Sequence, residues 1–403
     1  MNRCSNDVPR ATFTPDELCR LVIEFYKRNY IEGLFLSSGV LKNPSYTMER
    51  ICETLMLLRT KYRFNGYIHV KAIPGAPDEL LSRAGYLADR VSINLELPTA
   101  QSLSKLAPNK SFKTILEPME KITGTIAANR LALGKDARME RSSINRYLTG
   151  SIFNQNGTDN GQAALSGTQR TALESGDKLS LPAVSKDMCV KRPFAPAGQS
   201  TQMIIGATPE TDLTLIRTTQ HLYKNYDLKR VFYSAYIPLN EDSALPQLDA
   251  DVPLLREHRL YQADWLLRFY GFQADELLSE SRPNFNEQLD PKCDWAIRHL
   301  GQFPVEVQNA SYDMLLRIPG IGPKSARRIV ETRRYAKLDF DILKKIGVVL
   351  KRAHYFITCN GRMMYRIPIE ESYITSCLTD DNHKENWVIT HQNEKYHQLS
   401  LFE

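Results

Sequence analysis

Two rhythms of apolar residues alternate along the first half of the chain. In "TPDELCRLVIEFYKRNY" (14–30), Leu18, Val22, Phe25 and Tyr26 recur at helical spacing. Thr14 is placed to cap that helix, Pro15 suits its first turn, and Glu17 completes a capping box. The next apolar run, "GLFLSSGV" (33–40), is short and ends in small residues, which predicts a strand. A helix is predicted around 47–63, a strand at "YIHVKAI" (67–73), a helix near 77–86 and a strand at "RVSINLEL" (90–97). Farther on, the strands "TQMIIGAT" (201–208) and "RVFYSAYI" (230–237) enclose a helical stretch at 212–226. Strand, helix, strand at this spacing calls for parallel strands joined by right-handed crossovers. The predicted fold class is therefore α/β, with a partial parallel, TIM-like β/α barrel over 1–245. An α-helical domain follows over 250–378, opening with a helix at 253–270. A segment at about 150–187 is rich in Gly, Ser, Asn and Gln and reads as a mobile insert. Residues 379–403 form a polar tail with an apolar end.

In β/α barrels, polar residues at the C-terminal ends of strands tend to be functional. Here those ends carry Ser37, Ser38 and Gly39, then Lys71, then Asn94 and Glu96, then Gly206 with Thr208, and Tyr236.

Composition narrows the class. Hydrophobic residues make up 42% and charged residues 24%, an ordinary soluble balance. No apolar run has the length of a bilayer span, so no membrane partner is expected. The start, "MNRCSNDVPR", lacks the apolar core of a signal peptide, which points to the cytoplasm. The cysteines (Cys4, Cys19, Cys52, Cys189, Cys293, Cys359, Cys377) are far apart and form neither a C-x-x-C pair nor a disulfide framework.

Charge changes the picture more. Residues 312–352 hold eleven Lys/Arg and four acids, a balance of +7, against +6 for the whole chain. The remainder thus sums to −1, and one basic patch stands on a near-neutral protein. Such a patch suits a polyanion, although a solvated helix face has the same look.

Inside that window lies "LLRIPGIGPKSARRIV" (315–330). Gly320 and Gly322 open a helix whose first turn holds Pro323 and Lys324. Unpaired amides at a helix start form an anion site, and glycine lets a phosphate approach the backbone. Ile318 and Ile321 would pack the turn between two helices. This resembles the helix–hairpin–helix DNA-binding motif, with Pro319, Gly320, Ile321, Gly322, Lys324, Ser325 and Arg328 as candidate contacts to the DNA backbone. "DFDILKKIGVVLKRA" (339–353) reads as a second, degenerate copy, so the module spans about 312–353. A hairpin used only for internal packing is the alternative.

The order of segments across the chain resembles a larger family: DNA modification or repair radical S-adenosylmethionine (SAM) proteins, with a radical-SAM barrel and a C-terminal helix–hairpin–helix. The matching stretches are "CSNDVPRATFTPDEL", "GLFLSSGV", "HVKAIPGA", "SINLELPT", "LAPNKSF", "GQSTQMIIGATPETD", "YSAYIPL" and the hairpin itself. The resemblance implies a 4Fe–4S cluster and S-adenosyl-L-methionine as cofactors, with a 5′-deoxyadenosyl radical removing hydrogen from a substrate. It carries Ser37, Ser38 and Gly39 over to the methionine amino group. Asn94 and Glu96 fall at the ribose or methionyl part, and Ile204 and Gly206 at the adenine-facing strand. The family's C-x3-C-x2-C cluster motif is absent from this sequence. Residue 1 falls just after the family's third cysteine, so the chain reads as truncated before its first barrel strand, and no cluster is expected on it as given.

The chain ends "HQLSLFE". Gln398, Leu399, Leu401 and Phe402 resemble the peptide by which replication and repair proteins dock on the DNA sliding clamp. Two other readings stay open. One is a non-catalytic, clamp-associated DNA-binding protein. The other is a helix–hairpin–helix DNA glycosylase, with Lys324 as nucleophile and Asp341 as its helper carboxylate.

Overall fold

The computed structural model describes residues 12–108, 110–132, 192–238 and 245–379. The insert at 150–187, Cys4, Cys189 and the terminal Gln398, Leu399, Leu401 and Phe402 lie outside the described residues. The chain divides into two compact units. The first holds the described residues up to Glu210 together with Arg217–Pro253; the second holds Thr211–Ile216 and the chain from Leu254 on.

The first unit alternates helices and strands: α1 (Pro15–Lys27), β1 (Gly33–Leu36), α2 (Pro44–Arg59), β2 (Tyr67–Lys71), α3 (Asp78–Leu87) and β3 (Arg90–Ser92). Then come α4 (Ala100–Leu106), α5 (Phe112–Ala132), β4 (Gln199–Ile205), α6 (Asp212–Tyr226, whose residues to Ile216 belong to the second unit) and β5 (Arg230–Ala235). The sheet order is β1-β2-β3-β4-β5, and every neighbouring pair runs parallel. Sequential parallel strands with helical crossovers make half of a barrel.

Local chemistry sets the boundaries. Thr14 Oγ1 accepts the Glu17 amide while the Glu17 carboxylate accepts the Thr14 amide at 2.8 Å, so the capping box forms. Helix α2 starts at Pro44, earlier than the apolar spacing predicted, because Asn43 Oδ1 caps the Tyr46 amide. Helices α4 and α5 had no counterpart in the sequence reading; Thr99 caps α4 at the Ser102 amide, and α5 continues through Pro118.

All five strands end earlier than predicted, at Leu36, Lys71, Ser92, Ile205 and Ala235, and β3 is cut shortest. "RVSINLEL" is regular only to Ser92. Beyond it, Thr201 Oγ1 donates to the Ile93 carbonyl at 2.7 Å and accepts the Leu95 amide at 2.9 Å. The chain bulges, Glu96 takes a left-handed φ of 68°, and pairing resumes through Glu96 N to Gln202 O. Ile68, Val70, Val91, Met203, Ile205 and Val231 are fully buried along one face of the sheet, in a core shared with Leu55, Leu58 and Ile115 of the helices. The alternate positions leave a polar face that includes His69, Lys71, Asn94 and Gln202.

The second unit is mainly helical: α7 (Leu254–Tyr270), α8 (Ala274–Leu277), α9 (Pro291–Arg298), α10 (Tyr312–Arg317), α11 (Pro323–Thr332), α12 (Phe340–Ile346), α13 (Leu350–Ala353) and α14 (Glu371–Thr379). Two short strands, β6 (Val305–Glu306) and β7 (Ile357–Thr358), pair in parallel. Phe272, Leu315, Leu316, Ile329, Leu343 and Phe356 form its core. Glu306 fastens the turn after β7 by accepting the Thr358 hydroxyl and the Asn360 and Gly361 amides.

Candidate nucleic-acid interface

The hairpin forms where the sequence places it. Ser311 caps α10 at the Met314 amide, the helix ends at Arg317, and Ile318 is extended. Ile318 and Ile321 are fully buried, so the turn is pinned from inside. Gly320 has φ +82°, and a Cβ there would stand 2.5 Å from the Val349 carbonyl oxygen. Conformation and space both require glycine at that position. Gly322 is the N-cap of α11 and supplies no side-chain cap, with Pro323 next. Among the described residues the amides of Lys324 and Ser325 have no hydrogen-bond partner. Two open donors at the positive end of a ten-residue helix make an anion site.

The stretch read as a second, degenerate copy folds as two short helices joined by a turn. Helix α12 ends at Gly347 (φ +99°), and α13 follows. Three hydrogen bonds weld the two turns. The Val349 amide donates to the Gly320 carbonyl, the Ser325 hydroxyl to the Gly347 carbonyl, and Arg328 Nη1 to the Ile346 carbonyl, each at 2.9 Å. Two residues predicted to flank phosphates therefore have a different observed bond. Ser325 is buried and spent on the second hairpin. Arg328 is exposed, so its other donors still face outward.

The basic window also divides. Arg317 is bound to both Glu276 oxygens and to the Tyr270 and Gly271 carbonyls, and it lies over the Phe272 ring. Arg333 donates to the Val307 and Ala310 carbonyls, and Arg352 pairs with Asp290. Lys324, Lys344 and Lys345 are exposed and have no ion pair among the described residues. The usable positive charge is thus narrower than the sequence count and sits at the hairpins.

Lys292 carries no mark in the sequence pattern. From α9 its ammonium donates to the Ile321 carbonyl at 2.6 Å and lies 4.6 Å from the centre of the Tyr270 ring. It is buried, and burial pushes its pKa down to about 7; Asp290 and Cys293 oppose this and Arg317 adds to it. A lysine inside a helical core has no periodic mark, because long chains with charged heads usually reach water.

The polar face of the half-barrel gathers some predicted residues. Glu96 Oε1 is 3.0 Å from Lys110 Nζ and 3.5 Å from Lys71 Nζ. Burial works to raise the Glu96 pKa, but the two ammonium groups prevail and hold it below the ordinary carboxyl value. Asn94 Nδ2 donates to Gln202 Oε1 at 3.1 Å, and the Ile204 amide donates to the Glu96 carbonyl. Gly206 is left-handed (φ +84°). Ser37, Ser38 and Gly39 form the loop after β1, where Ser38 Oγ donates to the Gly39 carbonyl; among the described residues no hydrogen bond joins them to Asn94 or Glu96. His69 is held neutral, its pKa pushed down to about 4 by burial and by Arg90.

The described residues do not fit an iron–sulfur cluster. Cys19 and Cys52 lie in α1 and α2 against the Thr54 and Leu80 carbonyls, their thiols pushed up to about 11 by burial. Among the described residues no three His, Cys, Asp or Glu side chains converge on a metal-sized site. Likewise no bond or ion pair joins the exposed Lys324 and Asp341 among the described residues, so a glycosylase pair gains no support. No described helix is long and apolar enough to cross a membrane.

The model of the helix–hairpin–helix motif family matches residues 305–332. The match covers α10, the turn and α11, and stops before the second copy. No curated protein and no solved structure matches the chain.

Proposed function

We propose that this chain is a DNA-binding protein whose helical unit grips the sugar–phosphate backbone with a pair of stacked hairpins. The observation that carries the reading is the turn at Gly320 and Gly322. Its carbonyls are consumed internally, at Ile321 by Lys292 and at Gly320 by Val349, while the Lys324 and Ser325 amides stay open. A backbone arranged in this way repels cations and accepts a phosphate. Lys324, Lys344 and Lys345 add the long-range attraction.

Fluorescence anisotropy with labelled oligonucleotides at several salt concentrations tests it. Binding should weaken linearly in log–log form, and Lys324→Ala should lower the salt slope by about one while weakening all sequences alike. Binding that ignores both salt and Lys324 would overturn the reading.

The half-barrel supports a finer version of the proposal: a radical SAM enzyme of DNA modification or repair. Parallel strands with polar ends and a clamped Glu96 suit a small-molecule site, and the segments that resemble that family run through the whole first unit. When bound, a cluster with S-adenosylmethionine would supply a carbon radical, but the described residues do not hold such a cluster. What this chain's own residues offer is an ionised carboxylate at Glu96 and an amide pair at Asn94 and Gln202. The terminal Q-L-S-L-F supports sliding-clamp docking as an added, or alternative, non-catalytic role.

A further inference from the structure

We propose that Trp265 is a stacking platform for one unpaired base of the DNA strand whose phosphate rests on the first hairpin. The inference rests on the backbone-binding reading and extends it from phosphate to base. Helix α7 buries Leu260, Ala263, Leu266 and Leu267, yet Trp265 beside them is 51% exposed. Single exposed apolar residues are common on protein surfaces and by themselves mean little. This one is fixed. Its ring centre lies 4.2 Å from that of Phe269, and the Arg268 guanidinium sits over both rings, 5.7 Å from Trp265 and 4.9 Å from Phe269. Arg268 is in turn held at 2.8 Å by the fully buried Asp264. An indole held by such contacts and half exposed loses little freedom when a base packs against it.

Its place gives it meaning. Trp265 lies five residues before Tyr270 on the same helix, α7. The Tyr270 hydroxyl oxygen lies 3.3 Å from where a Cβ on Gly322 would stand. Thus indole, phenol and hairpin glycine follow one another across the surface of the helical unit. A phosphate on the Lys324 amide and a base on Trp265 are neighbouring parts of one strand. In a duplex, bases are covered by their partners and stacked neighbours, so the platform selects single-stranded or locally opened DNA. The local positive charge suits that occupant over an uncharged aromatic ligand.

The test compares a labelled single-stranded oligonucleotide with the duplex of the same sequence on the full chain. Trp265→Ala should weaken single-strand binding about tenfold, since one base–aromatic stack is worth about 1–3 kcal/mol, and leave duplex binding nearly unchanged. Trp265→Phe should keep most of the single-strand affinity. With Trp387 replaced by Phe in both proteins, tryptophan emission should be quenched by the single strand when Trp265 is present and not in Trp265→Phe. Trp295 is buried and remains in both. Equal effects of Trp265→Ala on both DNA forms, no effect on either, or unchanged quenching in Trp265→Phe would overturn the platform. Lys324→Ala separates the two claims: if it weakens both forms while the tryptophan variants bind normally, the platform alone fails; if it changes nothing, the backbone reading fails first.

Discussion

At the scale of single residues, Lys292 has the most to explain. A buried ammonium is costly unless paired or hydrogen-bonded, and this one is spent on a backbone carbonyl directly under the phosphate turn. Its pKa in the folded protein, about 7, lies below the ordinary 10.5. Between those values the unfolded chain binds more protons, so stability should rise as pH climbs from about 7 toward 10. A phosphate beside Ile321 favours the protonated form, so DNA affinity should fall across the same window. Asp290, Cys293, Arg317 and Tyr270 face the group, and the first two resist its deprotonation. Lys292→Met should flatten both slopes in urea unfolding and in anisotropy run in parallel. A variant that keeps the parent slopes would assign them to another group. Residues of this kind are not legible in a sequence: "PKCDWAIRHL" shows a helix cap and an apolar face, and nothing says that its lysine turns inward.

At the scale of elements, the hairpin was the most legible part of the chain. Its glycines, its apolar frame and the proline at the first helical position each have a local cause, and all act within a few residues. Less legible was the division of labour between the two copies. Ser325 and Arg328 looked like phosphate contacts because they follow the glycines, yet their observed bonds join the first turn to the second. That joint depends on residues about twenty positions away, which local spacing cannot show. The bulge after β3 is similar, since it is written in Thr201 rather than in "RVSINLEL" itself. Gly320 is where the joint is tightest. Gly320→Ala adds a left-handed penalty and a clash with the Val349 carbonyl, so a loss of about 2 kcal/mol or more is expected in chemical denaturation, with DNA affinity falling in step. Unchanged stability in that variant would mean that the turns are not in contact.

At the scale of the whole molecule, the period of the apolar pattern was enough to find the five strands of the half-barrel sheet among the described residues and most of the helices packed on them, but not β6 and β7. It could not find α4 and α5, which lie in a stretch with no clear alternation against its surroundings. Net charge was informative only once divided by region, and the structure divides it again, between cations spent inside the helical unit and those left for a partner. If the half-barrel binds S-adenosylmethionine, Glu96→Gln should weaken that binding in isothermal calorimetry about tenfold while leaving oligonucleotide affinity unchanged, because a hydrogen bond to a charged group is worth about 1.5–3 kcal/mol. Equal affinity in the variant would remove Glu96 from the site. The bond from the Val349 amide to the Gly320 carbonyl reaches further than its length suggests. It ties the two turns into one body, so if both grip a strand they should let go together, seen as a single phase when the complex is dissociated by a salt jump.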